Sequence, residues 1–69
     1  MMKKYKLPTE SEPAGNAYCI MAMVVNAMKE NGLEDEVNNY LNDAKSGNYY
    51  HLREVSQKML DRINNGWRG

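Results

Sequence analysis

A nearly continuous apolar stretch covers residues 17–28, and only Asn26 interrupts it. A helix formed by this stretch is apolar around most of its circumference, whereas an ordinary surface helix is apolar along one stripe. Such a helix needs more than one packing partner, so the core of the chain must form around it. Its apolar residues make two sets at helical spacing: Tyr18, Met21, Val25 and Met28 in the first, and Ile20, Met23, Val24 and Ala27 in the second. We expect one set to face the rest of the subunit and the second set to contact another subunit.

Residues around and after this stretch predict three helices. Asn16 is a favourable N-cap for the first helix, and Gly32 provides a left-handed stop. The second helix opens with three acidic residues, 34–36, which oppose the positive end of the helix dipole, and it ends at residues 46–47. Asn48 is the N-cap candidate of the third helix, which we expect over residues 49 to about 64.

Apolar residues at three- and four-residue spacing predict one buried face on each of the two later helices. These faces consist of Leu33, Val37, Tyr40, Leu41 and Ala44 in the second helix and Leu52, Val55, Met59, Leu60 and Ile63 in the third. We therefore predict an all-α fold with a small three-helix domain at residues 14–66. Residues 1–13 are expected to form an N-terminal arm or, within residues 3–7, a short edge strand. Residues 67–69 form a tail in which Trp67 packs back on the domain or a neighbour.

The length of the chain predicts a homo-oligomer. A core built from 69 residues rarely provides more than about 3–5 kcal/mol of stability, so short chains usually add a disulfide, a metal or a second subunit. Cys19 is the only cysteine and His51 the only histidine, which excludes a disulfide or a zinc site with four Cys or His ligands within one chain. Association with further copies is the remaining source of stability.

Charge and hydropathy exclude several classes of partner. Nine basic and nine acidic side chains cancel, so the chain lacks the positive charge of a dedicated nucleic-acid-binding protein. The unbroken apolar run, residues 17–25, is shorter than the roughly 20 residues that a membrane-spanning helix needs. The basic start of the chain has no apolar segment after it, so it does not read as a secretory signal, and a lone cysteine suits a reducing compartment. We expect a cytoplasmic protein that binds no membrane and for which nucleic acid is a disfavoured partner.

Catalysis is not expected from this sequence. Cys19 would need a base within hydrogen-bond reach to act as a nucleophile, and His51 is the only histidine that could serve. A lone cysteine on an apolar helix is usually a small buried hydrophobe. The sequence contains neither a glycine-rich phosphate loop nor a metal-binding motif, so we expect no enzyme activity, no cofactor and no metal.

Two helix starts predict a ligand site for an anion instead. Gly15-Asn16 precedes the first helix and Ser46-Gly47-Asn48 the third, and each places free backbone amides beside a small polar side chain. Aromatic rings for stacking and one arginine lie close to these positions in sequence, which is the composition of a nucleotide pocket. The expected ligand-binding residues are Asn16, Tyr18, Ser46, Gly47, Asn48, Tyr49, Tyr50, His51 and Arg53. The simpler alternative is that both starts are ordinary helix caps.

Two further functions stay open at the level of sequence. The short turn before the third helix contains Gly47, as in a helix-turn-helix DNA-binding regulator, and the third helix would then offer Tyr49, Tyr50, His51 and Arg53 to a groove. Against this, three acidic residues open the second helix and the net charge is zero, so attraction to phosphates would be weak. A purely structural small protein would bind no ligand at all.

Short motifs follow one another in a defined order along residues 15–55. They are Gly15-Asn16-Ala17-Tyr18 before the apolar helix, then Gly32, then an acidic helix start, and then Ser46-Gly47-Asn48-Tyr49 with Leu52 after it. This order resembles a group of short proteins from bacteriophages and mobile elements, in which Phe stands in place of Tyr18 and Asp in place of Asn48. The resemblance implies a non-enzymatic accessory factor that blunts host defence, either by sequestering a nucleotide signal or by blocking a host protein.

Overall fold

The computed structural model describes residues 4–66, which form three α-helices: α1 (Ala17–Glu30), α2 (Val37–Ala44) and α3 (Tyr49–Asn64). Short 3-10 turns at Pro13–Gly15 and Glu34–Glu36 precede α1 and α2. The described residues contain no strand, so the all-α prediction is confirmed for them. Residues 4–7 pair with no strand of the same chain, and an edge strand paired with another subunit stays a prediction. Residues 1–3 and the predicted tail with Trp67 lie outside the described residues.

Local hydrogen bonds set both ends of α1 where the sequence predicts them. The Asn16 Oδ1 atom accepts a hydrogen bond from the backbone N–H of Cys19 at 2.9 Å. At the other end, the backbone N–H of Leu33 donates to the carbonyl oxygen of Met28 at 2.8 Å, and Gly32 adopts a φ of 76°. A left-handed glycine followed by an apolar residue that packs back on the last turn is the Schellman helix ending. Because Leu33 is buried, this ending also directs the chain toward α2.

The second predicted helix is divided in two. Leu33 stands at the N-cap position of the Glu34–Glu36 turn and forms no side-chain cap hydrogen bond. The first turn is therefore a tighter 3-10 turn, in which the backbone N–H of Glu36 donates to the carbonyl oxygen of Leu33 at 3.0 Å. The α-helical hydrogen bonds begin only at Val37.

One face of each helix contributes to a single core, and α3 packs against both α1 and α2. The side chains predicted to be buried on α2 and α3 are buried or half-buried, and Ser56 is buried as well although its hydroxyl is polar. The buried apolar residues are Ile20, Val24, Ala27, Met28, Leu33, Tyr40, Ala44, Leu52, Leu60 and Ile63.

Three of the four residues predicted for a subunit contact lie inside this core. Ile20, Val24 and Ala27 are 0% exposed within one chain, so they are unavailable to a second subunit. Met23, the fourth, is half-buried and packs against the core. The predicted subunit contact is therefore wrong for Ile20, Val24 and Ala27, while the homo-oligomer itself stays a prediction. The helical spacing shows that α1 has two apolar faces. Packing against α2 and α3 determines which of them points inward, and the spacing of residues in α1 alone does not indicate this.

Candidate functional site

The N-terminal segment 4–8 is extended and is fastened to α1 and α3 by specific hydrogen bonds. The backbone N–H of Tyr5 donates to Asn64 Oδ1 at 2.7 Å, and Asn64 Nδ2 donates to the carbonyl oxygen of Tyr5, also at 2.7 Å. The Tyr5 hydroxyl donates to Glu30 Oε1 at 2.6 Å, a hydrogen bond that raises the pKa of Tyr5. The Asn64 side chain thus binds both the backbone N–H and the backbone carbonyl of Tyr5. The N-terminal segment therefore covers the side of the bundle formed by α1 and α3.

Arg53 and Tyr49, both predicted to bind a ligand, hold chain segments together. Arg53 Nη1 donates to the carbonyl oxygen of Pro8 at 2.8 Å and to the Tyr49 hydroxyl at 3.1 Å. The Tyr49 hydroxyl in turn donates to the carbonyl oxygen of Gly15. The Arg53 guanidinium carbon also lies 5.7 Å from the centroid of the Tyr49 ring, within the range of a cation–π contact. These contacts use the groups that a phosphate or a base would need.

Ser46, His51 and Asn48 close the turn between α2 and α3. The Ser46 hydroxyl donates to the carbonyl oxygen of Asp43 at 2.7 Å, and His51 Nε2 lies 2.9 Å from the same oxygen and 3.1 Å from Asp43 Oδ1. Asn48 Oδ1 accepts from the backbone N–H of His51 at 2.9 Å. Three of the predicted ligand residues therefore cap the end of α2 and the start of α3, as the simpler alternative expects.

The two motif glycines are explained by close packing. A Cβ atom on Gly15 would lie 1.9 Å from the carbonyl oxygen of Thr9, and one on Gly47 would lie 2.8 Å from Cβ of His51. Both distances are below van der Waals contact, so any larger residue would push the neighbouring segment away. The glycines are required here by the fold itself.

The starts of α1 and α3 lie beside one shared depression of about 410 Å³. A single chain therefore brings both predicted helix starts to one place. Five of the predicted ligand residues do not line the depression: Asn16, Ser46, Tyr50, His51 and Arg53. Tyr50 is an exposed residue whose hydroxyl lies 3.4 Å from Glu10 Oε1. The lining residues are Ala17, Tyr18, Met21, Ala44, Lys45, Gly47, Asn48, Tyr49 and Leu52.

A second groove of about 360 Å³ continues from this depression between α1 and α2. Its lining residues are Tyr18, Met21, Ala22, Val25, Asn26, Leu41 and Lys45. Tyr18 is 83% exposed, which is unusual for a large aromatic side chain on a short domain. No charged residue occurs in residues 17–28 or 37–42, so even the outward positions of both helices are uncharged between their ends. We call the surface formed by Tyr18, Met21, Ala22, Val25, Asn26 and Leu41 the charge-free face.

Charged side chains concentrate on the opposite side, in a groove of about 350 Å³ between α2 and α3. Arg62 Nη1 and Nη2 donate to the two carboxylate oxygens of Glu36, each at 2.9 Å. These hydrogen bonds lower the pKa of Glu36 and raise the pKa of Arg62. The His51–Asp43 contact lies in the same groove. In this groove, Arg62 and His51 therefore already have Glu36 and Asp43 as partners.

Leu41 and Lys45 of α2 and its end are two members of the site that the sequence does not predict for it. Leu41 was assigned to the buried face of the second helix, and Lys45 precedes the Ser46-Gly47-Asn48 motif directly. For Lys45 the sequence does contain a signal, because it is a basic residue next to a predicted anion site. For Leu41 the sequence contains no such signal, because its spacing fits a core position, whereas the structure leaves it half-buried.

No family model matches the sequence, and no curated protein or solved structure shows significant similarity to it. The resemblance to the bacteriophage group stays a prediction. Among residues 4–66, none of the helices has the length and apolar character needed to cross a bilayer. In the same part of the chain, no three side chains of the His, Cys, Asp or Glu type come together as metal ligands would.

Proposed function

We propose that this chain is a non-enzymatic binding protein that acts on a protein partner through its charge-free face. The observation that supports the proposal is the exposed Tyr18 at one end of an apolar groove whose rim carries no charge between its ends. The cores of protein interfaces are depleted in charged residues and enriched in aromatic residues and Met. The homo-oligomer that the chain length predicts and the host protein that the motif resemblance implies are both partners of this kind.

The contacts of Cys19 and His51 are consistent with the absence of catalysis in this proposal. Asn16 Nδ2 donates to Cys19 Sγ at 3.2 Å, at the start of α1. His51 Nε2 is directed to Asp43 at the end of α2. The thiol and the imidazole thus have different partners, while a nucleophile and its base must share a hydrogen bond. A DNA-binding role is also less favoured, because Arg53 and Tyr49 are held by the N-terminal segment and by Gly15.

Site-specific photo-crosslinking in cells tests this function directly. A photoreactive phenylalanine analogue replaces Tyr18 on the charge-free face, and in a matched strain it replaces Gln57, an exposed residue of α3. We expect a discrete crosslinked product from position 18 only, and we expect Leu41→Glu in the same chain to abolish it. If position 18 yields no product beyond those from position 57, the charge-free face binds no protein and the proposed function fails.

A nucleotide ligand is a second candidate, supported by the shared depression at the starts of α1 and α3. Tyr18, Tyr49 and Lys45 line one cavity there, together with Ala17 of the α1 start and Gly47 and Asn48 of the α3 start. A base could stack on a ring while its phosphate binds the amides and the lysine. Of the predicted ligand residues, only Tyr18, Gly47, Asn48 and Tyr49 line this pocket, and Lys45 is the charged residue that the prediction did not contain.

Thermal unfolding with a panel of linear and cyclic nucleotides tests the second candidate. A ligand at 100 times its dissociation constant adds about 2.7 kcal/mol to the free energy of unfolding, which is easily measured for a small domain. We expect Lys45→Ala to remove the shift and Lys58→Ala, on α3, to retain it. A flat response across the panel would leave only the protein partner.

A further inference from the structure

We infer that the partner of the charge-free face is a second copy of this chain, bound across a two-fold axis with the two α1 helices antiparallel. The inference rests on the proposed function, because it names the occupant of the same face. A two-fold contact uses one surface patch twice, so that surface must be complementary to itself. The charges at the two ends of α2 indicate how two copies would be oriented.

The two ends of α2 carry opposite charges, because Lys45 directly follows the helix and the acidic turn Glu34–Glu36 directly precedes it. Lys45 lies at the end of α2, beside Tyr18, and lines the groove. Glu34 and Asp35 lie at the opposite end of α2, roughly 15 Å away by the rise of 1.5 Å per helical residue. Within residues 4–66 none of these three side chains forms an ion pair. The acidic end also carries Lys29, but acidic side chains outnumber it there.

A two-fold rotation about the middle of the groove exchanges its ends. Lys45 of each copy then faces Glu34 and Asp35 of the other copy, so the contact gains two identical sets of opposite charges at its rim. Between them the uncharged middle meets itself, and no like charges are forced together. Because charge complementarity of this kind selects partners and their orientation, a second copy fits this face better than an unrelated apolar surface does.

The middle of the face has the shape that a close helix pair needs. Ala22 is exposed near the centre of the uncharged stretch of α1, so two antiparallel α1 helices can approach without a large side chain between them. Tyr18, at the end of its own groove, would lie over Val25 of the second copy. The dimer would thus cover the exposed Tyr18. It would also add stability to a chain of 69 residues that has no disulfide and whose short length predicts a weak core.

Sedimentation velocity over micromolar to submillimolar concentration is the first measurement. The chain is expected to approach twice its monomer mass of 7.9 kDa. Ala22→Lys places two like charges near the axis and should give a monomer that keeps the helical circular dichroism of the parent. Gln57→Lys adds the same side chain on the exposed side of α3 and should leave the dimer intact. A parent chain that stays monomeric over this range, or equal weakening by the two variants, would overturn the inference.

Charge reversal provides the second measurement and tests the orientation. Glu34→Lys and Lys45→Glu should each weaken dimerisation about tenfold, because each creates two like-charged contacts per dimer. The two reversals together restore opposite charges across the axis and should bring the dissociation constant back to within a few-fold of the parent value. A double variant as weak as the single variants would contradict the two-fold arrangement.

The crosslinking experiment above separates the two proposals. A product from position 18 with the mass of two chains supports a second copy. A product with a heavier protein, from a chain that sediments as a monomer, contradicts the inference while the proposed function stands.

Discussion

At the scale of single residues, the pair formed by Ser56 and Tyr40 links α3 to α2 inside the core. Their hydroxyl oxygens lie 2.6 Å apart, and Ser56 has no exposed surface. Burial raises the pKa of Tyr40, so the tyrosine stays protonated and able to donate. A buried hydroxyl without a hydrogen-bond partner destabilises the folded state. Tyr40 and Ser56 each provide that partner for the other.

This pair gives the first prediction. Ser56→Ala and Tyr40→Phe should each lower the free energy of unfolding by about 1–3 kcal/mol, because each leaves one buried hydroxyl unpaired. The double variant leaves none, so its loss should be clearly smaller than the sum of the single losses. Urea unfolding of the four proteins measures this coupling. Strictly additive losses would mean that the two hydroxyls do not depend on each other.

The ion pair between Glu36 and Arg62 gives a prediction about pH. The hydrogen bonds from Arg62 lower the pKa of Glu36 in the folded chain. A carboxylate with a lowered pKa contributes stability that is present above the ordinary glutamate pKa of about 4.3 and is lost as the pH falls through the lowered folded value. We therefore expect the melting temperature of Glu36→Gln to fall less than that of the parent as the pH is lowered into this acid range. Glu54→Gln, at an exposed position of α3, removes no ion pair among residues 4–66 and should follow the parent curve.

At the scale of secondary structure, the helices were predictable because their ends are local. Asn16 and Asn48 accept hydrogen bonds from backbone amides three residues later, and Gly32 needs a positive φ. Each of these contacts involves a few neighbouring residues, so the sequence contains the whole interaction. The 3-10 turn before α2 was not predicted, since a run of acidic residues favours a helix start without indicating which hydrogen-bond pattern it has.

Gly15 provides the prediction at this scale. The carbonyl oxygen of Thr9 occupies the space of a Cβ atom, so Gly15→Ala must displace the turn before α1 and should cost about 1–3 kcal/mol. Hydrogen exchange should show faster exchange of the Tyr5 amide, because the displaced turn strains the segment that Asn64 holds. Gly32→Ala is the control, since a Cβ there meets nothing within 4 Å and only its φ is unfavourable. Slow exchange of the Tyr5 amide in Gly15→Ala would show that the segment is held independently of this turn.

At the scale of the whole molecule, the candidate site was only partly predictable. Asn48, Tyr49 and Tyr18 lie at the shared depression as the sequence suggested, because each belongs to one of the two helix starts. Arg53 was misassigned because its partner, Pro8, is 45 residues away, and no local pattern shows which polar groups a distant backbone will satisfy. The sequence shows that residues 17–28 and 37–42 carry no charge. It does not show which of these residues are exposed, because that depends on how the three helices pack.

The choice of inward face on α1 is the property on which the site, the proposed function and the dimer all depend, and one matched pair of variants tests it. Val24 is fully buried and Ala22, two residues earlier on the same helix, is exposed. Val24→Lys would bury an unpaired ammonium, which costs more than the about 3–5 kcal/mol that a core of this size provides. We expect it to abolish the cooperative thermal transition, whereas Ala22→Lys should keep that transition and lose only association. If Val24→Lys instead folded as a helical monomer, then the set containing Ile20, Val24 and Ala27 would form the subunit contact after all. The charge-free face would then be the side of α1 that packs inward.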